Sequence, residues 1–299
     1  MRRYSAEDIF VDSVVYLILA IVFIATVYPF YYCLVISFNE GIDASTGGIF
    51  LWPRRFTLEN YEMVFSNEQL MSGFLVSVLR TVTGTILSLL FTGLFAYGLA
   101  YKNLMFKKTY IGIMIFAMYF SGGLIPYYVL LKNLRLLNTF WVYIIPALLS
   151  PFNAIIMMSF FREIPDSIEE SVKIDGANDL VTFFRIIVPI STPVFATIAL
   201  FNGVGHWNSW FDTAFFTTDR KLRTLSFLLK EIINRANLTS MLGPGMSDAE
   251  RSATYAARSY TAETIRMATM MLVVIPIICI YPFLQRYFVK GIMIGSIKG

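Results

Sequence analysis

Six stretches of roughly twenty or more residues run along this chain almost free of charge, and no other feature limits its fold as much. About 20 apolar residues rising 1.5 Å each cross the ~30 Å of hydrocarbon in a bilayer, and a helix satisfies every backbone group on the way. Read as spans, the stretches fall at about 13–37, 76–101, 109–131, 136–161, 186–211 and 267–287. Arg80 and Arg266 lie near helix ends, from which long cationic side chains snorkel to the surface. Hydrophobic residues make up 57% of the chain and charged ones 15%, against about a quarter charged in soluble domains, so its solvent is lipid. The reading is an all-α integral membrane protein of six transmembrane helices forming one domain over 1–299.

A formal net charge of +4, spread along 299 residues, suggests no nucleic-acid partner and fits the Lys/Arg excess of membrane surfaces. Cys33 and Cys279 fall inside apolar runs without metal-site or redox spacing. The first run follows Arg2, Arg3, Glu7, Asp8 and Asp12 and is long enough to cross, so it reads as a retained helix and not a cleaved signal.

With an inner N-terminus, the short inner loops collect Arg2, Arg3, Lys102, Lys107, Lys108, Arg162, Lys173 and Arg185, and the C-terminal end adds Arg286, Lys290 and Lys298. The outer side before the fifth span receives only Arg54, Arg55, Lys132 and Arg135, which favours both termini in the cytoplasm. The long outer segment 217–262 works against this contrast with seven further cations, although long translocated segments weigh less. Leu225, Leu228, Leu229, Ile232 and Ile233 recur there at helical spacing, predicting a short amphipathic helix before an irregular loop from Met241. The other outer segment, 38–70, reads as a plain connector with a short helix over 57–65.

The inner loop 162–185, between the fourth and fifth spans, is too charged to cross. Ser167 and Glu170 stand at capping-box spacing after Pro165, so a short helix starts there. Asp175-Gly176 stops it, because glycine tolerates the left-handed conformation of a helix end. A second helix starts at Asn178 or Asp179 and runs through Phe183 into the fifth span. Such a capped helix-turn-helix is stiff enough to carry a push from a cytoplasmic partner, although the same caps serve an ordinary surface loop equally well.

The stretch Glu170-Ser-Val-Lys-Ile-Asp-Gly176-Ala, followed by Ile186, Pro189 and Pro193, resembles the EAA motif of the membrane subunits of binding-protein-dependent ABC importers. Ser171 and Val172 replace the two alanines of that pattern, and Val188 replaces a common leucine. Ile164-Pro-Asp-Ser-Ile-Glu-Glu, Phe120-Ser-Gly-Gly-Leu-Ile-Pro126, Thr139-Phe-Trp141, Phe288-Val-Lys-Gly291 and Gly295-Ser-Ile-Lys-Gly299 are similar to the carbohydrate branch, with its maltose-type second permease and oligosaccharide relatives. The resemblance implies a type I ABC importer permease architecture and protein partners of three kinds: a second homologous permease subunit, two ABC ATPase subunits and an extracytoplasmic solute-binding protein. It also implies a carbohydrate substrate, a bacterial cytoplasmic membrane, and ATPase coupling through Glu169, Glu170, Ser171, Val172, Asp175, Gly176, Ala177 and Phe183. No GxxxxGKS or GxxxxGKT loop is present, so this chain binds no cofactor and ATP with Mg²⁺ belongs to the partner ATPases.

Sugars are held by aromatic faces and by amides, hydroxyls and carboxylates that replace hydration. The end of the fifth span is the richest such cluster, with Asn202, His206, Trp207, Asn208, Trp210 and Asp212; Asn153, Tyr119 and Tyr127 are further pathway candidates. Each has a structural alternative: an interfacial aromatic belt for the tryptophans, interhelical bridges for Asn and His. No second ligand lies at i+3 or i+4 from the single histidine, His206, and no nucleophile–base set is legible, so metal and catalytic residues are none. A self-contained secondary transporter needs a central ionisable residue, and no span holds an obvious Asp, Glu or Lys there.

Overall fold

The computed structural model describes residues 6–165, 167–168, 171–172, 176–241 and 261–296. Among them the regular elements are helical, and the one β-type pairing is an isolated bridge between Asn39 and Phe56. The long helices are α1 (Ala6–Ser37), α4 (Glu68–Ala100) and α12 (Ala262–Ser296). Between α1 and α4 lie the short helices α2 (Gly41–Ser45) and α3 (Glu59–Ser66). Next come α5 (Lys107–Tyr119), α6 (Leu124–Asn133), two 3₁₀ turns (Phe140–Tyr143 and Ile145–Ala147) and α7 (Pro151–Arg162). The remainder is α8 (Asp179–Ile190), α9 (Thr192–Asn208), α10 (Phe211–Phe216), a third 3₁₀ turn (Arg220–Leu222) and α11 (Leu225–Met241).

Three helices are long and apolar enough to cross a membrane alone, and three bent pairs bring the number of spans to six. Each bent pair is a single span broken near its middle or near one end. Segment 109–131 is two helices, α5 and α6, at 116°. Gly123 supplies the corner with φ +86°, a left-handed value that a side chain would strain. Segment 136–161 becomes the 3₁₀ turns and α7, at 46°, where Pro146 and Pro151 remove backbone donors. Segment 186–211 begins inside α8, turns by 86° at Ser191 and ends at Asn208. The inner loop boundary at 185 therefore falls within a helix, whose residues Phe183–Ile187 form a π-type turn.

The second span starts at Glu68, eight residues before 76, because its early turns bind the residues that lead into α11. The Ser77 hydroxyl accepts from the Leu225 N–H at 2.9 Å, and a Cβ on Gly73 would stand 2.6 Å from Leu228. The last span extends beyond 267–287, from Ala262 to Ser296. The predicted amphipathic helix persists to Met241, and the loop expected after it lies outside the described residues.

The chain packs into two compact units, Met1–Glu68 with Glu231–Ile275 and Gln69–Lys230 with Pro276–Gly299. Each closes its own apolar clusters. The first gathers Val35, Ile36, Ala44, Ile49 and Met267. The second has one cluster around Ala96, Met157, Phe161, Phe183, Ile187 and Ile198, and another around Val76, Leu131, Val142, Tyr143 and Phe216. Fully burying a side chain of this size contributes about 1.5–3 kcal/mol relative to water, so these clusters define where each unit is rigid.

Candidate functional site

The inner elbow is built from local bonds. The Ile168 N–H donates to the Pro165 carbonyl at 3.1 Å and the Ser171 hydroxyl to the Ile168 carbonyl at 2.9 Å, starting its first turn. At the far end Gly176 has φ +80°, and the Ala177 N–H reaches back to the Val172 carbonyl at 3.2 Å, the 6→1 bond of a Schellman helix end. Asn178 then caps α8, its Oδ1 accepting from the Val181 N–H at 2.8 Å. Ser171 and Gly176 are exposed, and Val172 and Ala177 half-buried. Glu169, Glu170 and Asp175 lie outside the described residues.

Phe183 is 1% exposed and belongs to the core, so its contacts lie within the fold. Its ring lies 5.5 Å from Tyr97 and 6.3 Å from Phe195; Phe161, which ends the preceding helix, lies 6.3 Å and 6.1 Å from the same two rings. Both roots of the elbow thus close on one aromatic clasp shared with α4 and α9. Such pairs contribute about 0.5–1.5 kcal/mol each beyond area burial. Gly93 is the close approach that admits them, since a Cβ there would meet Phe195 and Phe183 at 3.1–3.2 Å.

The polar candidates of the fifth span divide. Asn153 Nδ2 donates to Asn202 Oδ1 at 2.9 Å, and Asn202 Nδ2 to the Ser88 hydroxyl at 3.0 Å, a relay joining α7, α9 and α4. His206 is 7% exposed and packs on Gly84, where a Cβ would stand 2.6 Å from its Nε2. Trp207 is buried edge-on against Phe74, ring centres 5.9 Å apart. Trp207 also borders an apolar recess of about 680 Å³ with Phe74, Val82, Val204 and Ile280, a lining unsuited to a hydroxyl-rich ligand. Asn208 is exposed, Trp210 carries the Lys230 ammonium over its ring, and Tyr119 is 80% exposed. Tyr127 is partly exposed beside Phe216. The structure therefore places Asn153, Asn202, His206 and Trp207 between helices, leaves Tyr119, Tyr127 and Asn208 exposed, and half-buries Trp210 under Lys230.

Arg80 does not snorkel. It is 2% exposed, pairs with Asp212, donates to the Ser209 carbonyl at 3.3 Å and lies 4.6 Å over the Tyr143 ring. Asp212 also accepts from the Ser209 hydroxyl at 3.0 Å, so its carboxylate is already engaged, with 28% of the side chain still open. The Tyr143 hydroxyl donates to the Leu222 carbonyl at 2.6 Å and is bonded to Thr213 and Thr217. A buried charge is tolerated when it is paired, and Asp212 supplies the counter-charge at Nη2, while the buried Nε of Arg80 has no acceptor among the described residues. The signal missed in the sequence is the spacing Gly73, Ser77, Arg80, Gly84, Ser88, Thr92: one face of α4, small or polar throughout, and buried.

No family model matches the chain. Protein LplC of Bacillus subtilis (strain 168) is 38% identical over 92% of this chain and 90% of its own length. The polygalacturonan/rhamnogalacturonan transport system permease protein YtcP of the same bacterium is 35% identical over 96% and 98%. A crystal structure of a bacterial ABC transporter involved in the import of the acidic polysaccharide alginate contains a chain with TM-score 0.85 and 27% identity, covering 96% of this chain and 100% of that one. Six spans, three of them broken, and a capped elbow fused to the core define a membrane-embedded ABC transporter permease. The chain belongs to the carbohydrate branch of the permease subunits of ABC importers.

Proposed function

We propose that this subunit forms half of the pathway of a binding-protein-dependent importer, carries a carbohydrate, most simply an oligosaccharide, and is driven through the elbow over 162–185. It sits in the bacterial cytoplasmic membrane with both termini and the elbow on the cytoplasmic side. It is non-catalytic: ATP and Mg²⁺ are handled by two partner ATPases, a second homologous permease completes the pathway, and an extracytoplasmic solute-binding protein delivers the sugar. The saccharides named for its relatives support the substrate class.

The aromatic clasp is the observation that carries the mechanism. A push on Glu170 or Ser171 enters a segment with fixed ends, and Phe161 and Phe183 pass it together to Tyr97 and Phe195. Closely packed side chains transmit displacement because they cannot compress. Asn208, Trp210, Tyr119 and Tyr127 are the residues of this chain best placed to meet the sugar.

The test is the assembled complex in vesicles carrying Gly176→Pro or Glu170→Arg. Proline holds φ near −65° and cannot adopt the +80° of Gly176, so the turn is lost while the spans are untouched. Both variants are expected to insert and to leave ATP hydrolysis running without uptake. Normal uptake by both overturns the proposal.

A further inference from the structure

The connector between α1 and α4 holds three apolar side chains away from the protein while its backbone is tied down. Phe50, Leu51 and Trp52 are 64%, 68% and 76% exposed, the last more than any other tryptophan of the chain. Looseness does not explain this. Ile49, immediately before them, is 3% exposed in the cluster with Val35, Ile36 and Ala44. After Pro53, Arg54 bonds Asp43, Thr46 and the Gly47 carbonyl, and Arg55 pairs with Glu40 at 2.9 Å. The carbonyls of the apolar residues are held as well: the Tyr31 hydroxyl donates to Leu51 at 2.6 Å and the Tyr28 hydroxyl to Phe50 at 3.4 Å.

Those two bonds set a level. Between Asp12 and Glu40 the chain has no charged residue. Counting the roughly 20 residues that cross the hydrocarbon from Asp12 ends near residue 32, among Tyr28, Tyr31 and Tyr32. Tyrosines at that position are where an interfacial belt belongs. The connector has folded back beside α1 to the depth at which that helix leaves the hydrocarbon, and its apolar side chains are exposed there as Tyr28 and Phe30 of α1 are. Three side chains, each burying at most ~150–250 Å², fall short of the ~800 Å² per partner of a stable protein interface. They suit the headgroup–acyl boundary, where tryptophan is enriched.

We infer that Phe50, Leu51 and Trp52 form a lipid anchor, seated in the interfacial layer of the bilayer and fixed at that depth by Tyr28 and Tyr31. It pins the outer connector to the membrane surface while Asp43, Arg54 and Asn39 keep its frame closed.

The experiment places a bimane fluorophore at Trp52→Cys, Phe50→Cys or the exposed reference Ser45→Cys, each in the full chain with Cys33→Ser and Cys279→Ser. Proteoliposomes of phosphatidylcholine and phosphatidylglycerol are prepared with and without nitroxide-labelled lipid, and iodide serves as the aqueous quencher. Positions 50 and 52 are expected to be quenched by the lipid nitroxide several-fold more than position 45, and by iodide several-fold less. Equal iodide access at all three positions overturns the anchor. So does shielding at 50 and 52 that arises only when the other subunits of the complex are added, which would assign the patch to a protein partner. The readout is depth, not sidedness, so its failure is distinct from a failure of the orientation or coupling proposed above.

Discussion

Replacing Asp212 by Asn should be far more damaging than removing both members of its ion pair. The Arg80 side chain is 3% exposed, so its guanidinium has almost no water to fall back on. Breaking a buried pair from one side typically costs 3–5 kcal/mol, because the remaining charge stays desolvated. Two features place Asp212→Asn at the lower end, about 3 kcal/mol: Asp212 is 28% open, and Arg80 keeps the Ser209 carbonyl and the Tyr143 face. Three kcal/mol corresponds to roughly a hundredfold in the folding equilibrium. In Arg80→Met with Asp212→Asn the stranded charge is gone, and the double variant should be about 2 kcal/mol more stable than Asp212→Asn alone. Equilibrium unfolding in mixed micelles titrated with SDS, applied to the four proteins of the cycle, measures the coupling. An Asp212→Asn loss below about 0.5 kcal/mol, or a double variant whose loss equals the sum of the singles, refutes the reasoning.

Gly84→Ala sets a methyl group against the buried His206 ring and should cost about 1–3 kcal/mol by overpacking. Adding His206→Ala should relieve most of that, and the same unfolding assay reads whether it does. Asp43 lies outside the spans, and its carboxyl is held below the usual carboxylate range by the Asn39 amide first and then by Arg54. A lowered folded-state value means that the stabilisation is present above the ordinary carboxylate value of about 4 and is lost as the pH falls through the lower folded one. A nitroxide at Ser45→Cys should therefore gain mobility only below about pH 4, and Asp43→Asn should remove that pH step; a step retained in the variant assigns it to another group.

Helix ends in this chain are legible because their signals are local. Gly176 and Asn178 each act within four residues, and the chain turns where they stand. The apolar runs likewise reveal how many times the chain can cross, since crossing length is a property of each run alone. Angles and partners are not local. Nothing in Phe120-Ser-Gly-Gly123 distinguishes a mild bend from 116°, because neighbouring packing sets how far a released backbone swings. Arg80 reads as a snorkelling residue until Asp212, 132 positions later, is brought against it. Phe183 shows the same limit: a phenylalanine on a surface loop and one seated in a clasp look alike until Tyr97 and Phe195 are placed.

The corner between α5 and α6 has an environmental consequence. Midway along an uncharged segment, the amides of Ser121 and Gly122 have no acceptor among the described residues; the Gly123 amide reaches only the Ser121 hydroxyl at 3.3 Å. Acyl chains offer no acceptor at all, and each bare amide immersed in them costs several kcal/mol. That stretch of backbone must consequently be wetted, or roofed by another polypeptide, wherever the chain resides. Ringed by lipid alone, the amides of Ser121 and Gly122 stay unsatisfied, so this corner sets a local demand for water or a neighbouring chain at the very middle of an otherwise greasy segment.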